Sequence, residues 1–163
     1  MNIASFAPLA VLLPILGAAL TFLLIRHSRA QRTVSIAVLS VTLLLECWLM
    51  ASVWDGGTSA VNIGGWLPPW GIVMVVDQFS SLMLVVSSTV SLAVLVYATG
   101  QGMADGDRDA PVSIFHPTYL ILVAGVSNAF LSGDLFNLYV GFEILLTASY
   151  VLMTLGGTGP RIR

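Results

Sequence analysis

Between Leu135 and Leu155 the chain runs for about 21 residues with a single charged side chain, Glu143, near the middle of the run. At a rise of ~1.5 Å per residue, a helix of that length just spans a hydrocarbon core of ~30 Å. The run therefore predicts a membrane-spanning helix that carries a carboxyl at mid-depth. Such a group is costly there and needs a partner, a cavity or a proton path. Tyr139, Glu143, Thr147 and Tyr150 fall at i, i+4, i+8 and i+11, so they share one helical face, while Leu, Ile, Val and Phe occupy the others. Two readings of Glu143 stay open on spacing alone. It is either a hydrogen-bonding contact to a neighbouring helix or a carrier of a proton or ion.

The remaining sequence supports a membrane setting. Of 163 residues, 57% are hydrophobic and 9% charged, with mean hydropathy +0.95, against about 25% charged in soluble domains. A chain of this size cannot bury that much apolar surface within itself, so lipid or partner subunits must cover it. The formal net charge of -2 comes with no basic patch, which argues against nucleic acid as a partner. Cys47 is the single cysteine and His27 and His116 lie far apart, so the sequence indicates no disulfide, no metal site and no cofactor motif.

Ile3 to Ile25 is too long for a signal-peptide core, and its positive charges follow it, so it reads as a retained first span containing Pro8 and Pro14. Arg26, His27, Arg29 and Arg32 make a basic turn before a second run, Val34 to Trp54. Glu46 lies inside that run with no polar stripe recognised around it; a structural contact with another helix and a transport role are both open. Asp55 to Gly71 is rich in Gly, Pro and Trp and reads as an extracytoplasmic loop with a short hairpin near Ala60 to Ile63. Trp66 and Trp70 suit the headgroup region. A third span is expected within residues 72–97, with Asp77 punctuating its outer end.

Asp105 to Asp109 reads as a solvated loop. The fourth span, 114–131, opens at His116-Pro117 and has a polar outer half at Ser127 and Asn128. Ser132-Gly133-Asp134 is a tight turn into the fifth, 135–155, with Asp134 as its N-cap. Arg26, Arg29, Arg32, Arg108, Arg161 and Arg163 all fall on one side of this arrangement, which places the N-terminus outside and the C-terminus in the cytoplasm. The expected fold is all-α, a multi-pass protein of about five spans. Residues 1–113 form a three-helix region, and 114–163 open a second unit.

The segment Gly133-Asp134-Leu135-Phe136-Asn137-Leu138-Tyr139, followed by Phe142-Glu143, resembles the D-type subunit of the Mrp-type multisubunit cation/proton antiporters. Phe115-His116-Pro117, Ala124 to Asn128 and Gly71 to Asp77 with Ser80 to Met83 extend the resemblance along the chain. The same superfamily includes the antiporter-like proton-pumping subunits of respiratory complex I and of membrane-bound hydrogenases. The resemblance implies a larger helical fold in which a glutamate on the fifth helix, matching Glu143, pairs with a lysine on the seventh.

This chain contains no lysine and reads as the N-terminal part of such a protein: a fragment, a truncated frame or one piece of a split polypeptide. The expected function is a component of a monovalent cation/proton antiporter in the plasma membrane. It would work with other antiporter subunits, with protons and a cation, Na+ foremost, and without a cofactor. Glu143 is the expected proton-binding carboxylate; Tyr139, Thr147, Tyr150, Asp134, Asn137 and Glu46 are supporting candidates. The alternatives are a membrane-arm component of an NADH-quinone oxidoreductase or membrane-bound hydrogenase, and an inactive or purely structural chain.

Overall fold

The computed structural model describes residues 3–101 and 114–155. The Asp105 to Asp109 loop and Arg161 and Arg163, used above to orient the chain, lie outside the described residues. Five helices carry the architecture: α1 (Leu9–Leu23), α2 (Ser28–Gly56), α3 (Gln78–Gly100), α4 (Phe115–Leu131) and α5 (Leu135–Thr154). Between α2 and α3 lies an antiparallel hairpin of β1 (Ser59–Asn62) and β2 (Val73–Val76), with Ser59 opposite Val76 and Asn62 opposite Val73. A short 3-10 turn, Ile3–Phe6, precedes α1 and packs on β1.

Three helical stretches, Ser28–Trp54, Gln78–Gly100 and Leu135–Thr154, are long and apolar enough to cross a membrane. Helices α1 and α4 are apolar but shorter, at 15 and 17 residues. The first span thus begins at Leu9 rather than Ile3, with Pro8 at its N-cap and Pro14 inside it. The second is longer than its apolar core, because Ser28 to Thr33 already adopt helix.

The third span needs a correction, since residues 72–76 are not helical. Val73 to Val76 form β2, with Met74 and Val76 turned inward in alternation, the two-residue period of a strand. Helix α3 starts only after Asp77, whose carboxylate accepts from Ser80 N–H at 2.6 Å while the Ser80 hydroxyl accepts from Asp77 N–H at 2.9 Å. This reciprocal capping box satisfies backbone donors that the first turn leaves free.

Helix α4 occupies the centre, packed on α1 and α5 and also on α2 and α3. Small residues let it sit there. A Cβ added at Gly125 would lie 2.8 Å from the Leu145 backbone N, and one at Gly141 would lie 3.1 Å from Ala129 N, so α4 and α5 meet nearly backbone to backbone. Such approach is a common means of helix association in lipid, where apolar contact with a neighbour gains little over contact with acyl chains.

The α4–α5 turn is stitched to the hairpin. Gly133 N–H donates to Val73 C=O at 2.8 Å, and the Asp134 carboxylate accepts from Val73 N–H at 3.1 Å. The N-terminal 3-10 turn, the hairpin and the α4–α5 turn therefore gather at one end of the bundle.

Two apolar clusters fill the interior. One, near the hairpin, includes Ala7, Val53, Met74, Val76, Leu84 and Leu131. The other, toward the opposite end, includes Ala18, Leu39, Leu95, Tyr119 and Leu120. Leu16, Leu44, Val90, Phe136 and Met153 are among the many large apolar side chains left exposed on the outer faces, as expected where lipid or other subunits are the solvent.

Candidate proton-binding sites

Helix α5 presents the predicted stripe outward. Tyr139 and Tyr150 are 60% and 65% exposed, and Glu143 and Thr147 are exposed as well. The Tyr139 hydroxyl is turned toward the Glu143 carboxyl one turn on. A groove of about 400 Å³ runs beside them between α4 and α5, lined by Thr118, Ile121, Glu143, Thr147 and Val151 among others. Helical spacing thus brings Tyr139, Glu143 and Thr147 onto one face, and nothing among the described residues closes over them.

Asp134 and Asn137 do not join that groove. Asp134 caps α5, accepting from Asn137 N–H at 2.7 Å, while its second oxygen holds β2. Asn137 is buried and exchanges amide hydrogen bonds with Asn128 at 3.2 and 3.3 Å, also donating to the Ser132 hydroxyl at 2.8 Å. Both fix how α5 leaves α4. Ser127 and Asn128, read from sequence as a polar outer half of α4, are both buried and face the interior.

Glu46 has the opposite setting. It is fully buried, with 0% of its surface exposed, and lies between the two apolar clusters on a stripe of α2 that includes Gln31, Ser35, Leu39, Thr42, Leu49 and Val53, all buried. Four of that stripe's seven members are polar, counting Gln31, Ser35, Thr42 and Glu46 itself. The polar companions that the sequence reading did not recognise are therefore present, spaced 4, 7 and 4 apart. That spacing was the signal available in the sequence.

Ser88 from α3 and Ser127 from α4 turn their hydroxyls toward the Glu46 carboxyl. Neither closes into a hydrogen bond of good geometry: both carboxyl oxygens and both serine Oγ atoms are buried without a hydrogen-bond partner.

No family model matches the chain. It is 36% identical over 155 residues to the D-type subunit of the Na(+)/H(+) antiporter of Alkalihalophilus pseudofirmus, covering 95% of this chain and 31% of that protein. It is also 36% identical over 159 residues to the protein of the same name from Bacillus subtilis, covering 98% and 31%. The chain is a homologue of the Mrp-type antiporter D-type subunits. It spans about a third of the length of these relatives.

Among solved structures it is similar to a chain of the Mrp complex from Dietzia sp., with TM-score 0.83 and 34% identity over 95% of this chain and 28% of that one. A chain of an archaeal membrane-bound sulfane sulfur reductase shares the fold, with TM-score 0.83 at 24% identity over 96% of this chain and 31% of that one. The likeness to the D-type relatives thus covers both glutamates and nearly all of the described helices.

Proposed function

We propose that this chain contributes to a multisubunit monovalent cation/proton antiporter, supplying part of its transmembrane proton path with Glu143 as the proton-binding carboxylate. One observation carries the reading. In a homologue of the D-type antiporter subunits, a mid-span carboxyl stands on a face of α5 that the described residues leave uncovered. A carboxyl in that position is to be completed by groups from outside these helices, and a cationic neighbour there would couple its protonation to movement. The chain acts as a transporter component rather than a catalyst. Residues 1–113 serve as a supporting three-helix region and 114–163 begin the translocating unit. The other antiporter subunits complete it in the plasma membrane, and Na+ is the first cation to test.

Glu143→Gln separates this reading from a structural one. Glutamine keeps the size and much of the hydrogen bonding but cannot release a proton. Proton flux in an antiport-competent assembly should fall by about 10²-fold or more while assembly is retained, and Glu143→Asp should keep part of the activity. Normal flux in the Gln variant would remove Glu143 from the mechanism. The orientation is tested separately. The Arg-rich α1–α2 turn supports an N-terminus outside, and on that reading a reporter fused to the C-terminus should be active only in the cytoplasm.

A further inference from the structure

The buried serine and threonine hydroxyls of the described helices follow one rule with two exceptions. Thr21, Ser35, Thr42, Ser81 and Thr99 each donate to a backbone carbonyl three or four residues earlier, at 2.8 to 3.2 Å. Ser80 is engaged in the α3 cap. That habit satisfies a hydroxyl cheaply inside a helix. Ser88 and Ser127 alone decline it, and both are turned instead toward Glu46. Three helices thus bring four oxygen atoms together at one buried point, and an apolar cluster closes it on either side.

An ionised carboxylate there would lack compensation. The described part of the chain offers no lysine, and Arg32, the nearest arginine along α2, is 14 residues from Glu46, about 21 Å along the axis. No titratable group lies on α1 or on the Ile3–Phe6 turn. Tyr97 on α3 lies nine residues beyond Ser88 and is exposed, while His116 and Tyr119 on α4 lie eleven and eight residues before Ser127. Cys47, beside Glu46 on α2, belongs to a different face. A bare charge in such surroundings is costly.

Donors and acceptors balance if the carboxyl carries a proton. The acid O–H donates to one serine oxygen, and its carbonyl accepts from the serine hydroxyls. Small rotations of hydroxyl groups that have no other partner suffice. We propose that Glu46, Ser88 and Ser127 form a second proton-binding site, enclosed between α2, α3 and α4 and separate from the Glu143 stripe, holding one exchangeable proton.

The test reads the proton directly, and its outcome is independent of whether the assembly transports anything. Infrared spectra of the full 163-residue chain in lipid vesicles at neutral pH should contain the carbonyl stretch of a protonated carboxylic acid. The band should move to lower frequency in D2O, remain in Glu143→Gln and disappear in Glu46→Gln. The amide of the latter mimics the neutral acid, so the fold should be kept. Ser88→Ala and Ser127→Ala should each shift the band upward, since each removes a hydrogen bond to the acid. Absence of the band at neutral pH, its survival in Glu46→Gln, or a band unmoved by D2O would each overturn the proposal.

Discussion

The two mid-span glutamates of this chain stand in opposite relations to it. Glu46 is enclosed by three helices, and every group that can satisfy it comes from the same chain. Glu143 is open, with one turn of its own helix supplying Tyr139 and nothing among the described residues covering the rest. Both sit in apolar runs of spanning length, so depth in the bilayer does not distinguish them. What does is the helix each belongs to. Helix α2 turns a seven-membered, half-polar stripe inward, whereas α5 buries little besides Asn137, Gly141 and Ala148. The enclosed acid is held within the bundle, and the open one has no such enclosure among the described residues.

Charge reversal should break this contrast most severely. Glu46→Lys places an ammonium among Ser88, Ser127 and apolar side chains with no carboxylate near, a change expected to cost several kcal/mol and to leave little folded chain. Glu143→Lys on the open face leaves a long side chain free to reach toward the headgroups, so the isolated chain should fold to near-normal yield. Yield and thermal melting of the two variants in detergent check this. Equal damage would show that α5 packs its stripe against its own chain.

How much of this was legible before the structure follows from the kind of signal each feature leaves. Spans 2, 3 and 5 are visible because hydropathy adds up over many residues, and the caps at Asp77 and Asp134 because a carboxylate before an apolar run has a local meaning. The start of the third span was misplaced because Ile72 to Val76 is as apolar as a helix. The inward alternation of Met74 and Val76 appears only in the structure, because residues 72–76 are apolar at every position and carry no period of two in their sequence.

The Glu143 stripe could be read because its polar members follow one another at single-turn spacing. The Glu46 stripe was missed because Leu39 separates Ser35 from Thr42, so its polar residues fall into two pairs, Gln31 with Ser35 and Thr42 with Glu46, rather than one unbroken series. Its serine partners come from α3 and α4, and no property of α2 alone announces them.

A smaller effect sharpens the comparison at the joint between the two regions. Asp134 caps α5 with one oxygen and holds Val73 of β2 with the other. Asp134→Ala should therefore cost about 1 kcal/mol, within the usual range for losing an N-cap. Amide exchange should rise at Asn137 and Val73 together while α2 and α3 remain protected. Faster exchange at only one of the two would mean that the hairpin and α5 are not coupled through this side chain.

The smallest expected change in the chain is the most informative about Glu143. Tyr139→Phe removes one hydroxyl from an exposed ring, and that hydroxyl is turned toward a carboxyl that nothing else among the described residues covers. If the stripe is unfinished, the thermal midpoint of the isolated chain should not move, because the bundle draws no packing from it. In an antiport-competent assembly the same substitution strips Glu143 of its one polar partner from the described helices, so proton flux should fall by less than in Glu143→Gln and its pH profile should shift. Measuring melting and flux on the same variant makes the two readings exclusive. A lowered midpoint with unchanged flux would make Tyr139 and Glu143 internal glue, and the open face of α5 would then lose its claim to the proton path.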